Sequence, residues 1–204
     1  MTSMSVATGN AHYDSRDNCN AIILTDENTL IAGCRTSTLP ATLEGIGYCA
    51  FLNQSGLTSI DFPESLTNVG KSAFAACTGL TSIALPNSVI SIRESAFFYC
   101  TSMSSIFMLP PTPPATGAII FKRVPLETVY VVDENAKALY QAASPWNSYS
   151  VKVVPTGIHD TQREKNAPCI TDYYDLCGKR LEGKQRGPVI VRYNDGSTRK
   201  VMVK

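Results

Sequence analysis

The sequence lacks most of what would mark an enzyme, a nucleic-acid binder or a membrane protein. No run approaches the roughly 18 consecutive apolar residues that a membrane span needs, so no span is expected. Residues 1–10, MTSMSVATGN, have neither a charged start nor an apolar stretch, so no secretory signal is visible. The chain is therefore expected to be either intracellular or a mature form whose signal has been removed. An excess of one charge sign is also missing. Eighteen Lys and Arg against seventeen Asp and Glu leave a net charge of +1. Phosphate recognition needs a concentrated basic surface, so nucleic acid is not an expected partner. Only two histidines occur, His12 and His159, and the seven cysteines form no CxxC pair. Neither a metal site nor a cofactor is expected from that set. The phosphate-binding GxxxxGK[ST], a glycine-rich dinucleotide loop and GxSxG are all absent.

What is present is an internal repeat. The 204 residues are 44% hydrophobic and 17% charged, the balance of a folded chain with one core and an appendage. Segments 34–56, 57–79 and 80–102 match without gaps, each starting 23 residues after the last, and a fourth start follows at Met103. Leu39, Phe62 and Leu85 align, each followed by proline (Pro40, Pro63, Pro86). Leu43, Leu66 and Val89 form a second column, and Ile46, Val69 and Ile92 a third. Ala50-Phe51, Ala73-Phe74 and Ala96-Phe97 form the fourth.

LTSIDF (57–62) and LTSIAL (80–85) carry apolar residues at their first, fourth and sixth positions. The last two alternate about one outward residue, as a half-buried strand requires. The proline that follows cannot donate to a ladder and should end that strand. LTNVG and VISIR read as a second short extended piece. SAFAAC and SAFFYC read as a helical or 3₁₀ turn whose Ala and Phe fill the interior. One repeat cannot hide these columns alone; stacked repeats can.

These columns resemble the BspA-type leucine-rich repeats of surface proteins from Bacteroides-like bacteria and some protists. The likeness rests on L-T-S-I-x-[LF]-P, S-[LV]-x-x-[IV] and S-A-F-x-x-C, over about half of the chain. The first copy departs from it, with Cys34 for the leading leucine, Gln54 for the cysteine and Cys49 where Ser72 and Ser95 stand. End repeats are commonly atypical. The resemblance implies a right-handed leucine-rich-repeat solenoid with a 23-residue period, mainly β with short helical turns.

The flanks complete the expected organisation. Residues 1–33 form an N-terminal segment whose NAIILTDENTLIAG reads as a hairpin, able to cover the open end of the repeats. Repeats occupy 34–109, and LPPTPPATG is read as a proline-rich break that stops the coil. An α+β C-terminal cap spans 110–155, with strand LETVYVV, a helix N-capped by Asp133 over ENAKALYQAA, then Trp146 and strand YSVKVV. Residues 156–168 read as a linker. A small β tail, 169–204, has strands expected at 170–176, 188–193 and 199–203, the last two joined by a turn at 194–196. With Y-D-L-x-G-[KR]-R, then K-x-x-G-x-x-[IV], a D-G turn and K-V-x-V-K, this tail resembles the C-terminal secretion or sorting tails of Bacteroidetes proteins, which implies export. Its basic residues Lys179, Arg180, Lys184, Arg186, Arg192, Arg199, Lys200 and Lys204 could attract acidic glycans or lipid head groups; lysines that keep strand edges from pairing account for them as well.

No catalytic group is expected. Cys77 and Cys100 share a column on adjacent repeats, where a small buried thiol packs well and where distance alone does not exclude a disulfide. Cys19 and Cys34 flank the hairpin and could bridge if the protein is exported. The disulfide state of all four is left open. His12 and His159 lie in terminal and linker segments, unsuited to a Cys–His arrangement. Glu44, Asp61 and Glu64 do not recur in a way that pairs two acids across a cleft. The outward strand positions are the candidate binding residues: Thr58, Ser59, Asp61, Thr81, Ser82, Ser104, Ser105 and Phe107. They form a row that could hydrogen-bond a partner, although a merely soluble sheet face would look the same. The expected function is non-catalytic cell-surface binding or adhesion to an extracellular protein or glycan, by a monomer. A structural or sorting stalk without its own ligand is the rival, and a hydrolase the remote one.

Overall fold

The computed structural model describes residues 3–154 and, beyond them, the strands that fall within 170–203. The chain divides into two compact units, Met1–Val154 and Pro155–Lys204.

The first unit begins with β1 (Tyr13–Asp14), β2 (Ile22–Leu24) and β3 (Thr29–Ala32), each antiparallel to the next. Apolar Ile23 and Leu30 face inward, and the Thr25–Asn28 turn closes with Asn28 N–H on the Thr25 carbonyl. Asn28 adopts φ +47°, a left-handed conformation that Asn tolerates. The Arg16 guanidinium beside Asp14 braces this region and holds the Asp14 carboxyl down at about 2. β3 then pairs in parallel with β4 (Gly45–Ile46), so the hairpin occupies the edge of the sheet that the repeats build.

From there each repeat adds parallel strands. β5 (Asn68–Val69), β7 (Ser91–Ile92) and β9 (Ala115–Thr116) extend the first sheet in the order β1-β2-β3-β4-β5-β7-β9. A second sheet has the order β11-β10-β8-β6, from β6 (Ser82–Leu85), β8 (Ser105–Met108), β10 (Thr128–Val131) and β11 (Ser150–Val153). Alternation decides the faces: Ile83, Leu85, Ile106, Met108, Val129 and Val131 are buried, while the residues between them are partly exposed. β6 ends at Leu85, immediately before Pro86.

Three expectations are corrected. First, SAFAAC and SAFFYC are not helical. Alternate amides reach the next repeat instead: Ser72 to the Glu94 carbonyl, Phe74 to Ala96, Ala76 to Phe98. The same bonds recur one repeat earlier at Cys49, Phe51 and Asn53. Left-handed residues at Cys49, Ser72 and Ser95, and again at Asn53, Ala76 and Tyr99, interrupt any helical run. Such φ values are costly for non-glycine residues and persist because the stacked carbonyls hold them. This segment is a third ladder between repeats.

Second, LPPTPPATG does not stop the stacking. Met108 pairs with Leu85, a spacing of 23, whereas Ala115 pairs with Ser91, a spacing of 24. One extra residue is absorbed in the proline run, and the ladder continues through it. β10 and β11 then extend the second sheet in parallel, Thr128 pairing with Ser105 and Ser150 with Thr128.

Third, residues 57–62 are not a paired strand, although Leu57 and Ile60 are buried as the pattern requires. The matching stretch of the first repeat is a turn, with Ser37 N–H on the Cys34 carbonyl, and on its other side 57–62 forms no ladder with β6, which is left as the end strand of its sheet.

The single α-helix among the described residues, α1 (Glu134–Ala142), follows β10 as expected. Asp133 caps it by accepting from Ala136 N at 2.7 Å. The helix buries Ala136 and Tyr140, and the Tyr140 hydroxyl donates to the Pro110 carbonyl at 3.1 Å, which ties the helix to the proline run. One core runs the length of the unit. Its centre is a column of rings, Phe51 on Phe74, Phe74 on Phe97 and Phe97 on Phe121, with centroids 5.1, 5.5 and 5.8 Å apart and near-parallel planes. Trp146 and Tyr149 meet Phe121 edge-on and close the column.

The second unit contains β12 (Ile170–Tyr174), β13 (Arg180–Leu181), β14 (Gly187–Tyr193) and β15 (Thr198–Val203), all antiparallel, in the order β13-β12-β14-β15. Three of these were expected; β13, too short to show alternation, was not. The expected linker at 156–168 and the turn at 194–196 lie outside the described residues.

Candidate binding face

The outward side of the second sheet assembles part of the expected row and extends it. Ser82 pairs with Ser105, and Ala84 with Phe107. Thr81 accepts from Ser104 through the backbone, so these two are also neighbours. Thr58, Ser59 and Asp61 are exposed, as expected, but they precede the sheet rather than lie in it.

Sequence reasoning missed the continuation. Ser105 is followed by Thr128 and Ser150, and Phe107 by Tyr130 and Lys152. The signal was present for the first step: Met103 to Leu126 is 23 residues, and LETVYV repeats the apolar spacing of LTSIAL, whereas β11 pairs with β10 at a spacing of 22. The proline run in between obscured it.

Two parallel rows therefore face solvent. One is Ser82, Ser105, Thr128 and Ser150; the other is Ala84, Phe107, Tyr130 and Lys152. The Phe107 and Tyr130 rings stack with centroids 4.8 Å apart and planes 13° from parallel. Both are partly exposed, unlike the Phe column of the core. The four hydroxyls make no side-chain hydrogen bond among the described residues, and Lys152 and Asp61 make no ion pair there. The face thus offers flat aromatic area, hydroxyls with no side-chain partner among the described residues, and the Lys152 charge at its β11 end.

The other chemical candidates do not converge. Glu44 accepts from Asn28 at 3.2 Å, and Asp61 and Glu64 are exposed. His12 sits beside the Tyr13 ring, and His159 lies outside the described residues. Among the described residues no group of three His, Cys, Asp or Glu side chains could hold a metal ion.

Among the described residues the cysteines, at 19, 34, 49, 77 and 100, are free thiols. Cys77 donates to the Phe51 carbonyl at 3.0 Å and Cys100 to the Phe74 carbonyl at 3.1 Å, each reaching back one repeat. Burial pushes these thiols up to about 11 and about 12. Thiolate is the reactive form, so both should stay unlabelled by iodoacetamide in the folded protein at pH 8 and react fully in denaturant. Mass spectrometry after native labelling tests this. Rapid modification of either residue would show that its interior ladder opens.

A family model described as a BspA type leucine rich repeat region matches residues 32–143, in 6 copies. Among solved structures, the chain is similar to a leucine-rich repeat protein from Bacteroides capillosus, with 23% identity and a TM-score of 0.49. The match covers 65% of this chain and 100% of the other. No curated protein matches the sequence.

Proposed function

The chain belongs to the BspA-type leucine-rich repeat family, and from that premise we propose that it is a non-catalytic binding module of the bacterial cell surface. Leucine-rich repeats generally mediate protein–protein interaction, which makes a protein the first expected partner and an extracellular glycan the second. The proposed architecture is a right-handed solenoid of about 23 residues per coil, closed at its C-terminal end by the α1 segment as an α+β cap. Residues 169–204 are proposed as a separate β tail that serves export or sorting, after a linker at 156–168. No described helix is long and apolar enough to cross a membrane.

The observation that supports binding is the pair of partly exposed, mutually stacked rings, Phe107 and Tyr130, set among hydroxyls that have no side-chain hydrogen bond among the described residues. Aromatic groups of this kind dominate binding energy where they occur in interfaces. The rigid ladder beneath holds them without an ordering cost at binding.

The test is a binding screen of the folded 204-residue chain against extracellular-matrix proteins and a glycan array, at low and high salt. The expected result is saturable binding that a Phe107→Ser, Tyr130→Ser double variant weakens at least about tenfold, with loss of interface aromatics costing roughly 2 kcal/mol or more. Binding that survives this change and disappears with salt would move the function to the basic tail. Turnover of any probe would overturn the non-catalytic reading.

A further inference from the structure

We infer that the outward corner of the third ladder, at Tyr99, Lys122 and Arg123, binds an acidic glycan through a sugar ring and its carboxylates. The site lies on a different ladder from Phe107 and Tyr130 and stands independently of that face. In the last two repeats of this ladder two successive side chains reach the surface, Phe98 with Tyr99 and Lys122 with Arg123. The second of each pair is left-handed, at φ +62° and +63°, which breaks the alternation that would turn it inward. Ladder bonds fix the neighbours: Ala76 N–H donates to the Phe98 carbonyl at 2.8 Å, and Tyr99 N–H to the Lys122 carbonyl at 3.0 Å. Tyr99 therefore stands between Ala76 of the preceding repeat and Arg123 of the following one.

The two sides of the Tyr99 ring differ. The Arg123 guanidinium lies over one face, 5.8 Å from the centroid. Toward Ala76 the ladder sets only a methyl group against the ring, and Tyr99 is 40% exposed. Phe98 widens the aromatic surface, its centroid 6.2 Å from that of Tyr99 and its plane 30° from parallel. Lys122 and Arg123 are exposed and make no ion pair among the described residues, so two positive charges stand uncompensated beside the rings. A carboxylate answers them, because a guanidinium grips it with two parallel hydrogen bonds through its edge while its flat face stays on Tyr99. The open ring face is negative and takes polarised C–H groups. A polyuronate carries a flat C–H face and a carboxylate on every unit, repeating at close to the ladder step of about 4.8 Å. An acidic peptide meets the cations without the flat face, and a neutral sugar does the reverse.

The test is NMR titration of the 204-residue chain with tetragalacturonate, with its methyl ester and with tetraglutamate. Saturable shifts are expected at the Ala76 methyl and the Tyr99 ring, with tetragalacturonate at least about fivefold tighter than either control. A Lys122→Gln, Arg123→Gln double variant should bind tetragalacturonate no better than the parent binds the ester. Tyr99→Ser should lower it to the tetraglutamate level, and Phe107→Ser with Tyr130→Ser should leave it unchanged. Equal binding of tetraglutamate by the parent chain would reduce the site to bare charge and overturn the inference. So would tetragalacturonate binding that the Lys122, Arg123 variant leaves intact, which would place the anion on other cations of the chain. Loss of binding in the Phe107, Tyr130 variant alone would move the glycan to that face.

Discussion

Phe74→Ala is expected to lower the stability of the repeat unit by about 3–5 kcal/mol, the range for removing a large buried aromatic. Phe74 sits in the middle of the core column, with a ring on either side of it. It stacks on Phe51 and on Phe97, and Phe62 meets it edge-on at 5.7 Å. Its backbone is equally committed: its amide donates to Ala96, and its carbonyl accepts the Cys100 thiol. The hole left by alanine cannot close, because the repeats on either side are held apart by those ladders. For a unit of this size the loss should appear as a fall in melting temperature of roughly 10 °C or more, measured by circular dichroism. Phe74→Leu should recover more than half of it by refilling the volume. A loss below about 1 kcal/mol for the alanine variant would mean that the column is not continuous.

Gly117→Ala is expected to cost about 3 kcal/mol, at the upper end of what overpacking does. In sequence this glycine closes a proline-rich stretch and looks like part of a loop. In the structure its amide donates to the Ile92 carbonyl at 2.8 Å, directly after β9 pairs with β7. A methyl group on it would overlap the Glu94 amide nitrogen and stand 2.6 Å from the Glu94 Cα. Backbone cannot swing aside as a side chain can, so the last two strands of that sheet must part. Gly56→Ala is the control. There the added methyl meets only the flexible Arg35 side chain, at 3.2 Å, and the cost should stay below about 1 kcal/mol. Equal stability of the two variants would show that residues 109–117 do not stack on the preceding repeat, and the extended ladder would fall with them.

How much was legible follows from the residues these two variants touch. The Phe51, Phe74 and Phe97 column could be read from the sequence because three ungapped copies place the same large side chain at one spacing, and burial permits few substitutes there. Phe121 continues the column at a spacing of 24, so self-comparison at 23 skipped it. A helical or 3₁₀ turn is what the local residues of SAFAAC suggest, because Ala is the strongest helix former. What decides its conformation is the carbonyl row of the next repeat, which no local propensity contains.

The candidate face divides in the same way. Outward Ser82, Ser105 and Phe107 follow from the period-two alternation of their strands, a local property. Tyr130 and Lys152 join them only because the chain absorbs one extra residue in the proline run and then returns to register.

The amino-acid sequence by itself determined the family, the repeat, the inward columns and the direction in which each strand residue points, since these depend on the spacing of apolar side chains along the chain. The tertiary structure alone decided how far the ladder runs, where it fails at residues 57–62, and which exposed side chains become neighbours. Those outcomes depend on hydrogen bonds between residues more than 20 positions apart, and a backbone amide carries no trace of its distant partner in the identity of its side chain.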